Sequence, residues 1–182
     1  ITSAQIERFQ ASKEDQIKRY NYISPDGLNI SLIGVSHGFS QPPGPGMLQM
    51  SPDEYFDPAK YVNKTAGMFG ELAHPVADLE VSLAFWHQLG FSTLSKFTTP
   101  YPWAIVSDGL SIVGLHQSQH FQYPAITYFA SDMPQKIAAM KKAGLKDLAL
   151  QANGNTVVIT PEQQHIFLSP LGGDTSSSDK KK

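Results

Sequence analysis

The sequence contains no cysteine, which excludes disulfide bonds, thiol nucleophiles and cysteine-ligated metal sites. It has no apolar run near the roughly 20 residues that a membrane-spanning helix needs, so we expect no membrane association. Acidic and basic residues nearly balance, giving a formal net charge of −2, and they form no basic stripe. Because binding to a nucleic-acid backbone depends on clustered positive charge, this pattern disfavours nucleic acid as a partner.

The sequence does contain enough apolar residues for a folded domain. Of its 182 residues, 41% are apolar and 16% are charged, which suits one domain with extensions, or one and a half domains. The compartment stays open, because proteins without cysteine occur inside and outside cells, and the cytoplasm is favoured. No signal-peptide pattern is visible, although such a segment could already have been removed.

The chain divides into stretches of different character. Residues 1–36 begin with a polar helical pattern, roughly over 3–19, and continue into a hairpin-like segment. A run rich in Gly and Pro opens residues 37–66, and we interpret it as a surface connector because neither a helix nor a central strand tolerates such a run. Residues 67–171 are strongly patterned, and the polar tail 172–182 is predicted to be disordered.

An internal repeat organises the patterned stretch. In each copy a short strand precedes an aspartate that suits a helix N-cap, Asp78 in the first copy and Asp132 in the second. A helical run of apolar residues follows and ends at a glycine, Gly90 or Gly144, twelve positions after the aspartate. Three strand-like segments complete each copy. The spacing therefore predicts two strand–helix–three-strand (βαβββ) modules in an α+β fold.

The two modules are predicted over 67–118 and 119–171. The N-terminal hairpin resembles the end of the second module, because 23–32 aligns with 159–168 without gaps. Both segments have the pattern strand, polar turn, strand. Two interpretations stay open: the likeness is one that any hairpin would show, or residues 1–36 are the remaining part of another module.

The first module also carries motifs of a known superfamily. Residues 70–80 are similar to its opening strand and Asp-Leu helix cap, 85–91 to its helix end, and 108–116 to its fourth strand. These motifs resemble the vicinal-oxygen-chelate superfamily, which includes glyoxalases, bleomycin-resistance proteins and extradiol dioxygenases. The resemblance covers about 66–169. It implies paired modules forming a curved mixed sheet, a cup-like half-barrel with a ligand on its concave face.

The superfamily pattern implies where a metal site would lie. Its four ligand positions align with Glu71, Gly114, Ala125 and Phe167. Only the first of these side chains binds hard divalent metals, so the standard metal site is predicted to be absent and no cofactor is expected.

A rearranged metal site is the alternative. His116 and His165 each lie two residues from a lost ligand position, on the same strand face. Together with Glu71 they would supply two imidazoles and one carboxylate, a set that suits Fe, Zn, Ni or Mn. The other interpretation is that all three are polar groups that line a pocket or are satisfied by their neighbours.

Aromatic residues on or beside the predicted strands favour a small organic ligand, because ligand pockets are mostly apolar with a few polar groups. Strand alternation places Thr127 and Phe129 on one face with Ala125, and Tyr128 on the other. We predict that the ligand is bound by Trp103, His116, Thr127, Phe129, His165 and Phe167.

Alternation in the first strand places Glu71 on the cup face and His74 towards the helix. Desolvation among aromatic rings would raise the pKa of the Glu71 carboxyl and suit it to act as a general base. The alternative is a hydrogen-bonded or solvent-exposed strand carboxylate. We interpret His74 as structural.

Three functions remain. The favoured one is a protein that binds a small organic molecule without the standard metal. The second is a metal-dependent lyase, isomerase or dioxygenase that uses Glu71, His116 and His165. The third is a non-catalytic interaction module that is completed by strand addition. A homodimer is among the assemblies that the resemblance allows.

Overall fold

The computed structural model describes residues 7–8, 18–34, 50–119, 122–145, 148–150 and 155–171. Within these ranges no helix is long and apolar enough to cross a membrane. The chain forms two compact units, which we treat separately. Unit 1 comprises Ile1–Pro43 and His74–Gln122, and unit 2 comprises Gly44–Ala73 and Tyr123–Lys182.

Along residues 67–171 the strands and helices follow one another in the order that the repeat predicts. The strands are β1 (Glu7–Arg8), β2 (Lys18–Ile23), β3 (Asn29–Gly34), β4 (Met68–Pro75), β5 (Ser92–Phe97), β6 (Trp103–Ser107), β7 (Ile112–His116), β8 (Ala125–Ala130), β9 (Leu148–Leu150), β10 (Thr156–Ile159) and β11 (His165–Pro170). The α-helices are α1 (Leu79–Gln88) and α2 (Met133–Lys142), and two short 3₁₀ helices cover Pro52–Phe56 and Pro58–Lys60.

The βαβββ arrangement occurs twice, as β4-α1-β5-β6-β7 and as β8-α2-β9-β10-β11. In both copies the last three strands are consecutive antiparallel neighbours, and the first strand adjoins the last. Strands β8 and β11 pair in parallel, so the sheet of the second copy is mixed. The predicted α+β class with paired βαβββ modules is confirmed.

Helix α1 begins and ends at the predicted residues. The Asp78 side chain accepts hydrogen bonds from the backbone N–H groups of Glu80 and Val81, at 2.9 and 3.1 Å, as an N-cap does. Gly90 follows the helix with a φ of 90°. The Phe91 N–H reaches back to the Trp86 carbonyl at 3.1 Å, which is the hydrogen bond of a Schellman motif.

Side chains from other parts of unit 1 complete the start of α1. The Leu79 N–H donates to Gln117 Oε1 at 3.0 Å. The Asp26 carboxylate, in the turn between β2 and β3, accepts from the Ala77 N–H at 2.8 Å and from the Ser82 hydroxyl. The N-terminal hairpin is therefore joined to the first module at the end of the helix where backbone donors lack partners within the helix.

The core of unit 1 lies between α1 and one face of the β6–β7 sheet. The predicted helix residues Leu79, Leu83 and Trp86 are buried there, against strand residues that include Val106 and Leu115. Two hairpin residues, Leu28 and Ile30, pack against the same cluster.

Helix α2 in unit 2 begins after Asp132 and ends before Gly144, as predicted. Gly144 has a φ of 96°, and the Leu145 N–H donates to the Met140 carbonyl at 3.1 Å. Asp132 holds the N-cap position, but its side chain makes no capping hydrogen bond. The second helical residue, Pro134, has no N–H to donate, and the Asp132 carboxylate instead lies 3.5 Å from Lys136 Nζ. The prediction that Asp132 is the N-cap residue is confirmed, but without the side-chain hydrogen bond that Asp78 makes.

The prediction of a polar helix over roughly 3–19 is wrong for those of its residues that the structure describes. Glu7 and Arg8 form a strand that pairs with Asn21 and Tyr20, and β2 already begins at Lys18. A polar helix with few apolar residues gains little from packing, whereas pairing with β2 gives the backbone hydrogen-bond partners. The remaining residues of that helix lie outside the described ranges, as does the predicted tail 172–182.

Residues 50–66 are more than a surface connector. Tyr61 is completely buried in the core of unit 2, with Met50 and Met68 in the same cluster. Its hydroxyl donates to the Tyr55 carbonyl at 2.6 Å and accepts from the Ser131 N–H at 3.0 Å. The connector interpretation fails here because a Gly/Pro-rich composition says nothing about single large side chains. Residues 37–49 lie outside the described ranges.

Replacing Tyr61 with Phe should lower the free energy of unfolding by about 1–3 kcal/mol, because two backbone groups would lose a buried partner. Chemical denaturation followed by circular dichroism measures the change. The matched control is Tyr123→Phe, at a side chain that is 59% exposed, where we expect no change. Equal effects of both substitutions would contradict this account of the Tyr61 hydroxyl.

Candidate functional site

Strand β4 contains a β-bulge opposite Thr127. Its pairing with β8 shifts between Phe69 and Leu72, so that Gly70 and Glu71 both lie opposite this one threonine. The Glu71 N–H donates to Thr127 Oγ1 at 2.9 Å, and the Thr127 hydroxyl lies 3.1 Å from the Glu71 carbonyl, to which it donates. The threonine side chain thus holds the bulge in place of regular strand pairing.

Gly70 is required at the bulge by close packing. A Cβ built there would lie 2.3 Å from Cε2 of Phe129 and 2.8 Å from Thr127 Oγ1. Both distances are far below van der Waals contact, so the Phe129 ring occupies the space that any other side chain would need. The bulge, the threonine and the ring form one packed arrangement.

Four of the predicted ligand-binding residues share one face of the β8–β11 pair. In this parallel register Phe167 is aligned with Thr127, and His165 is aligned with Ala125. Phe129 follows Thr127 by two residues and therefore lies on the same face. We call Thr127, Phe129, His165 and Phe167 the β8–β11 ring face. Thr127 is buried, and the three rings are half-buried.

The opposite face of β8 and β11 belongs to the core of unit 2. Ala130 and Leu168 are buried there with Met140 of α2, and Tyr128 packs against them. This agrees with the alternation that separates Tyr128 from Thr127. Beside the ring face, the Tyr123 ring lies 5.2 Å from the His165 ring.

In unit 1, Trp103 and His116 belong to a row of four rings. They are paired across β6 and β7, and Phe97 is paired with Trp103 across β5 and β6. Ring centroids are 4.4 Å apart between Phe97 and Trp103 and 5.8 Å apart between Trp103 and His116, with interplanar angles of 21° and 6°. The fourth ring, Tyr101, meets His116 edge-on at 6.0 Å.

Hydrogen bonds orient this four-ring row. Trp103 Nε1–H donates to the Thr99 carbonyl at 3.3 Å, and the Tyr101 hydroxyl lies 3.3 Å from Nδ1 of His116. The row lies on the sheet face opposite α1, because Ala104 and Leu115, the next residues along these strands, are buried against the helix. Phe97 is 44% exposed at one end of the row. Sequence reasoning missed Phe97 and Tyr101, which only the strand register brings to Trp103 and His116.

Glu71 is the one buried carboxylate among the described residues, with 8% of its surface exposed. It lies in unit 2 with His165, whereas His116 lies in unit 1. Within the described part of the chain, no group of three or more His, Asp or Glu side chains is placed to hold a metal ion. The structure therefore does not bring Glu71, His116 and His165 together as such a group.

His74, at the end of β4, is buried with 2% exposure, and neither ring nitrogen has a hydrogen-bond partner in the described structure. Burial lowers the pKa of His74, the charge of His116 lowers it further, and the Asp26 carboxylate acts in the opposite direction. The imidazole is therefore a neutral core group at neutral pH.

Comparison with known proteins identifies the fold. No family model and no curated protein matches the chain. Among solved structures, an extradiol ring-cleaving dioxygenase from B. fuscum has a TM-score of 0.54 and 12% identity, and the match covers 90% of this chain and 47% of that chain. The halotolerant catechol dioxygenase BphC has a TM-score of 0.47 and 14% identity, over 90% of this chain and 58% of that chain.

A glyoxalase/bleomycin resistance protein/dioxygenase superfamily member from Vibrio splendidus 12B01 has a TM-score of 0.41 and 12% identity, over 55% of this chain and 97% of that chain. The present chain thus spans about half the length of the two dioxygenases. It has the vicinal-oxygen-chelate fold, as the motif resemblance implied. At such identities the likeness concerns the fold and not the reaction.

The burial of His74 predicts how stability depends on pH. Its pKa in the folded state is below the ordinary value of 6.5, so the unfolded chain binds the proton first as the pH falls. The free energy of unfolding should therefore decrease below about pH 6.5, by at most about 1.4 kcal/mol per pH unit for this group. This loss should be weaker in His74→Leu. The exposed His87, replaced by Gln, is the control that should keep the wild-type slope, and an unchanged slope in His74→Leu would refute the assignment.

The packing at Gly70 predicts a coupling with Phe129. Gly70→Ala should destabilise the protein by about 1–3 kcal/mol, because the new methyl group overlaps the ring. In a Phe129→Ala background the same substitution should cost at least about 1 kcal/mol less. Denaturant unfolding of the four proteins of this double-mutant cycle measures the coupling. Additive effects would show that the ring does not set the requirement for glycine.

Proposed function

We propose that this protein binds small organic molecules with a planar ring, and that each unit provides its own face for them: the four-ring row in unit 1 and the β8–β11 ring face in unit 2. The observation that carries the proposal is common to both units. In each, the sheet face opposite the helix presents partly exposed aromatic and imidazole rings in register, while the helix side is a packed core.

Partly exposed rings in register suit recognition of a flat apolar ligand. Trp103, His116, Phe129, His165 and Phe167 are each half-buried, so they retain surface that is open to a ligand. Aromatic rings bind other rings by offset stacking or edge-to-face contact, and each pair contributes about 0.5–1.5 kcal/mol beyond burial. A rigid sheet holds these rings with little loss of entropy on binding.

The polar groups of each unit suggest which further groups its ligand carries. Imidazoles at His116 and His165 can donate or accept hydrogen bonds, and Glu71 supplies the carboxylate of unit 2. We assign Glu71 the role of accepting a hydrogen bond, or a proton, from a hydroxyl group of the ligand. Thr127 positions it, by holding the backbone of the bulge on both sides of the Glu71 peptide unit.

Binding in this proposal does not depend on the standard superfamily metal. Three of the four aligned ligand positions are Gly114, Ala125 and Phe167, none of which offers a metal-binding atom in its side chain. Gly114 and Ala125 are also buried, so neither position presents a group to a ligand. The aromatic Phe167 at the fourth position adds ring surface instead.

Isothermal titration with catechol and with benzene-1,2-dimethanol tests the proposal. Both probes are flat rings that carry two hydroxyl groups. Trp103→Ala and Phe167→Ala should each weaken binding by about 2- to 10-fold, the loss that one ring contact is worth. Glu71→Gln, which keeps the shape of the side chain but removes its charge, should weaken binding of the more acidic catechol further than that of the benzylic diol.

Val81→Ala is the matched control, because Val81 is 53% exposed on α1, which lies on the side of the unit 1 sheet opposite the four-ring row. This substitution should leave the affinity unchanged. Protein dialysed against a chelator should bind as tightly as untreated protein. Saturable binding that is unaffected by either ring substitution would refute the proposal, and binding that is lost with the chelator would favour the metal-dependent alternative.

A further inference from the structure

His74 is a buried titratable side chain that takes no part in the ligand faces proposed above. It is 2% exposed, and in the described structure neither of its ring nitrogens has a hydrogen-bond partner. A neutral imidazole has one donor and one acceptor, and burying such groups unpaired costs free energy. A protonated imidazole is harder still to bury. The burial of His74 therefore becomes less favourable as the pH falls.

Three elements of unit 1 surround His74 among the described residues. Burial lowers its pKa below the ordinary value of 6.5. The Asp26 carboxylate, in the turn between β2 and β3, acts in the opposite direction, and the charge of His116 on β7 lowers the pKa further. The inward side of α1 presents four buried side chains, none of which titrates: Leu79, Ser82, Leu83 and Trp86. The loss of hydration thus outweighs the attraction of Asp26.

The carboxylates at the start of α1 do not compensate a charge on His74. Asp78 accepts hydrogen bonds from backbone N–H groups of its own helix. Glu80 pairs with Lys96, and both side chains are exposed. Asp26 is therefore the one described carboxylate that acts on His74. The same carboxylate also attaches the N-terminal hairpin, β2 and β3, to the first module.

Side chains attach this hairpin to the rest of unit 1. Within the described ranges β2 and β3 pair with each other and with β1, and not with strands of the first module. The Asp26 carboxylate accepts from the Ala77 N–H at 2.8 Å and from the Ser82 hydroxyl. Leu28 and Ile30 pack on the core and are themselves only partly buried. The described attachment is therefore small, and one carboxylate is central to it.

Water can reach His74 at the lowest cost by release of the hairpin. Movement of α1 would instead expose the buried side chains of that helix, and each large apolar one costs about 1.5–3 kcal/mol. Release of the hairpin exposes less apolar surface, because Leu28 and Ile30 are already partly exposed. Proteins open first where few buried apolar contacts must be broken. The hairpin is therefore the part of unit 1 that opens first when His74 gains a proton.

We propose that unit 1 contains an acid-sensitive switch, in which protonation of His74 releases the N-terminal hairpin from α1. In the closed state His74 is neutral, and Asp26 is bound to Ala77 and Ser82. In the open state these two hydrogen bonds are broken, and the imidazolium, which takes its proton from water, is hydrated. This switch does not depend on the ligand binding proposed above.

The direction of the pH dependence follows from the two states. The imidazole has the lower pKa in the closed state, so the open state binds the proton first as the pH falls. The closed state is therefore fully favoured above about pH 6.5. Below that pH the ratio of open to closed molecules should rise by up to about tenfold per pH unit, until the lower pKa of the closed state is reached.

Amide hydrogen exchange of the full chain, read by NMR and corrected for the intrinsic rate at each pH, tests the switch. The Ala77 amide, which donates to Asp26, should lose protection below about pH 6.5, by up to about tenfold per pH unit. The Phe91 amide, which donates to the Trp86 carbonyl beyond the other end of α1, should keep its protection, because the opening is local. Equal loss at both amides would indicate global unfolding and overturn the proposal, as would protection of Ala77 that does not change with pH.

Substitution identifies the group that takes the proton. His74→Leu keeps an apolar side chain in the core and cannot be protonated, so the protection of Ala77 should no longer depend on pH. His87→Gln, at an exposed histidine of α1, is the matched control and should keep the wild-type dependence. An unchanged dependence in His74→Leu would assign the effect to another group and overturn the proposal.

A distance measurement tests the same movement with His74 in place. Because the chain has no cysteine, Asn29→Cys and Val81→Cys introduce unique sites for two spin labels, and both positions are exposed. The distance between hairpin and helix should increase as the His74 ring proton signals report its protonation. A distance that stays constant while His74 becomes protonated would overturn the proposal, even if His74→Leu did not fold.

Discussion

The carboxylate of Asp26 is the contact on which the organisation of unit 1 depends. It accepts hydrogen bonds from the Ala77 N–H and the Ser82 hydroxyl, and so joins the N-terminal hairpin to the start of α1. A helix start has backbone donors without partners in the helix, and here Asp78 and Gln117 accept hydrogen bonds from them. Asp26 accepts from the Ala77 N–H just before the cap, and from the Ser82 hydroxyl within the helix. Because α1 is fixed in this way against β6 and β7, the opposite face of those strands is left for the four-ring row.

Local signals account for the parts of the fold that the sequence predicted. An aspartate before a helix and a glycine after it act within one turn of the chain, so the ends of both helices could be predicted. The missing side-chain hydrogen bond at Asp132 could not be predicted from the aspartate alone. The strand at Glu7 and the burial of Tyr61 depend on partners far along the chain. A composition or a helical pattern contains no information about such partners.

The candidate site shows the same limit at the level of single residues. Alternation separates Thr127 from Tyr128, because β8 pairs with β11 in one unbroken register, although Phe129 packs against the core of unit 2 as Tyr128 does. In β4 the bulge at Gly70 and Glu71 interrupts the alternation of side chains between the two faces. The glycine is the only residue in the strand whose type indicates a bulge. Phe97 and Tyr101 join the four-ring row through the pairing register and a loop conformation, neither of which a pattern of residue types determines.

The strand pairing of the two βαβββ copies, and its likeness in the N-terminal hairpin, show that backbone arrangement and side-chain chemistry vary independently in this chain. The turn at Thr160 has the same hydrogen bonds as the turn at Ser24, and its left-handed residue is Gln163 where the other turn has Gly27. Backbone geometry thus persists while side chains change. The positions on the ring-bearing faces are under no such constraint: Phe167 and Ser31 occupy equivalent places in β11 and β3, one a half-buried ring and the other an exposed hydroxyl. Function in this architecture must therefore be argued from each face separately, because the repeat fixes where a side chain stands but not what it is.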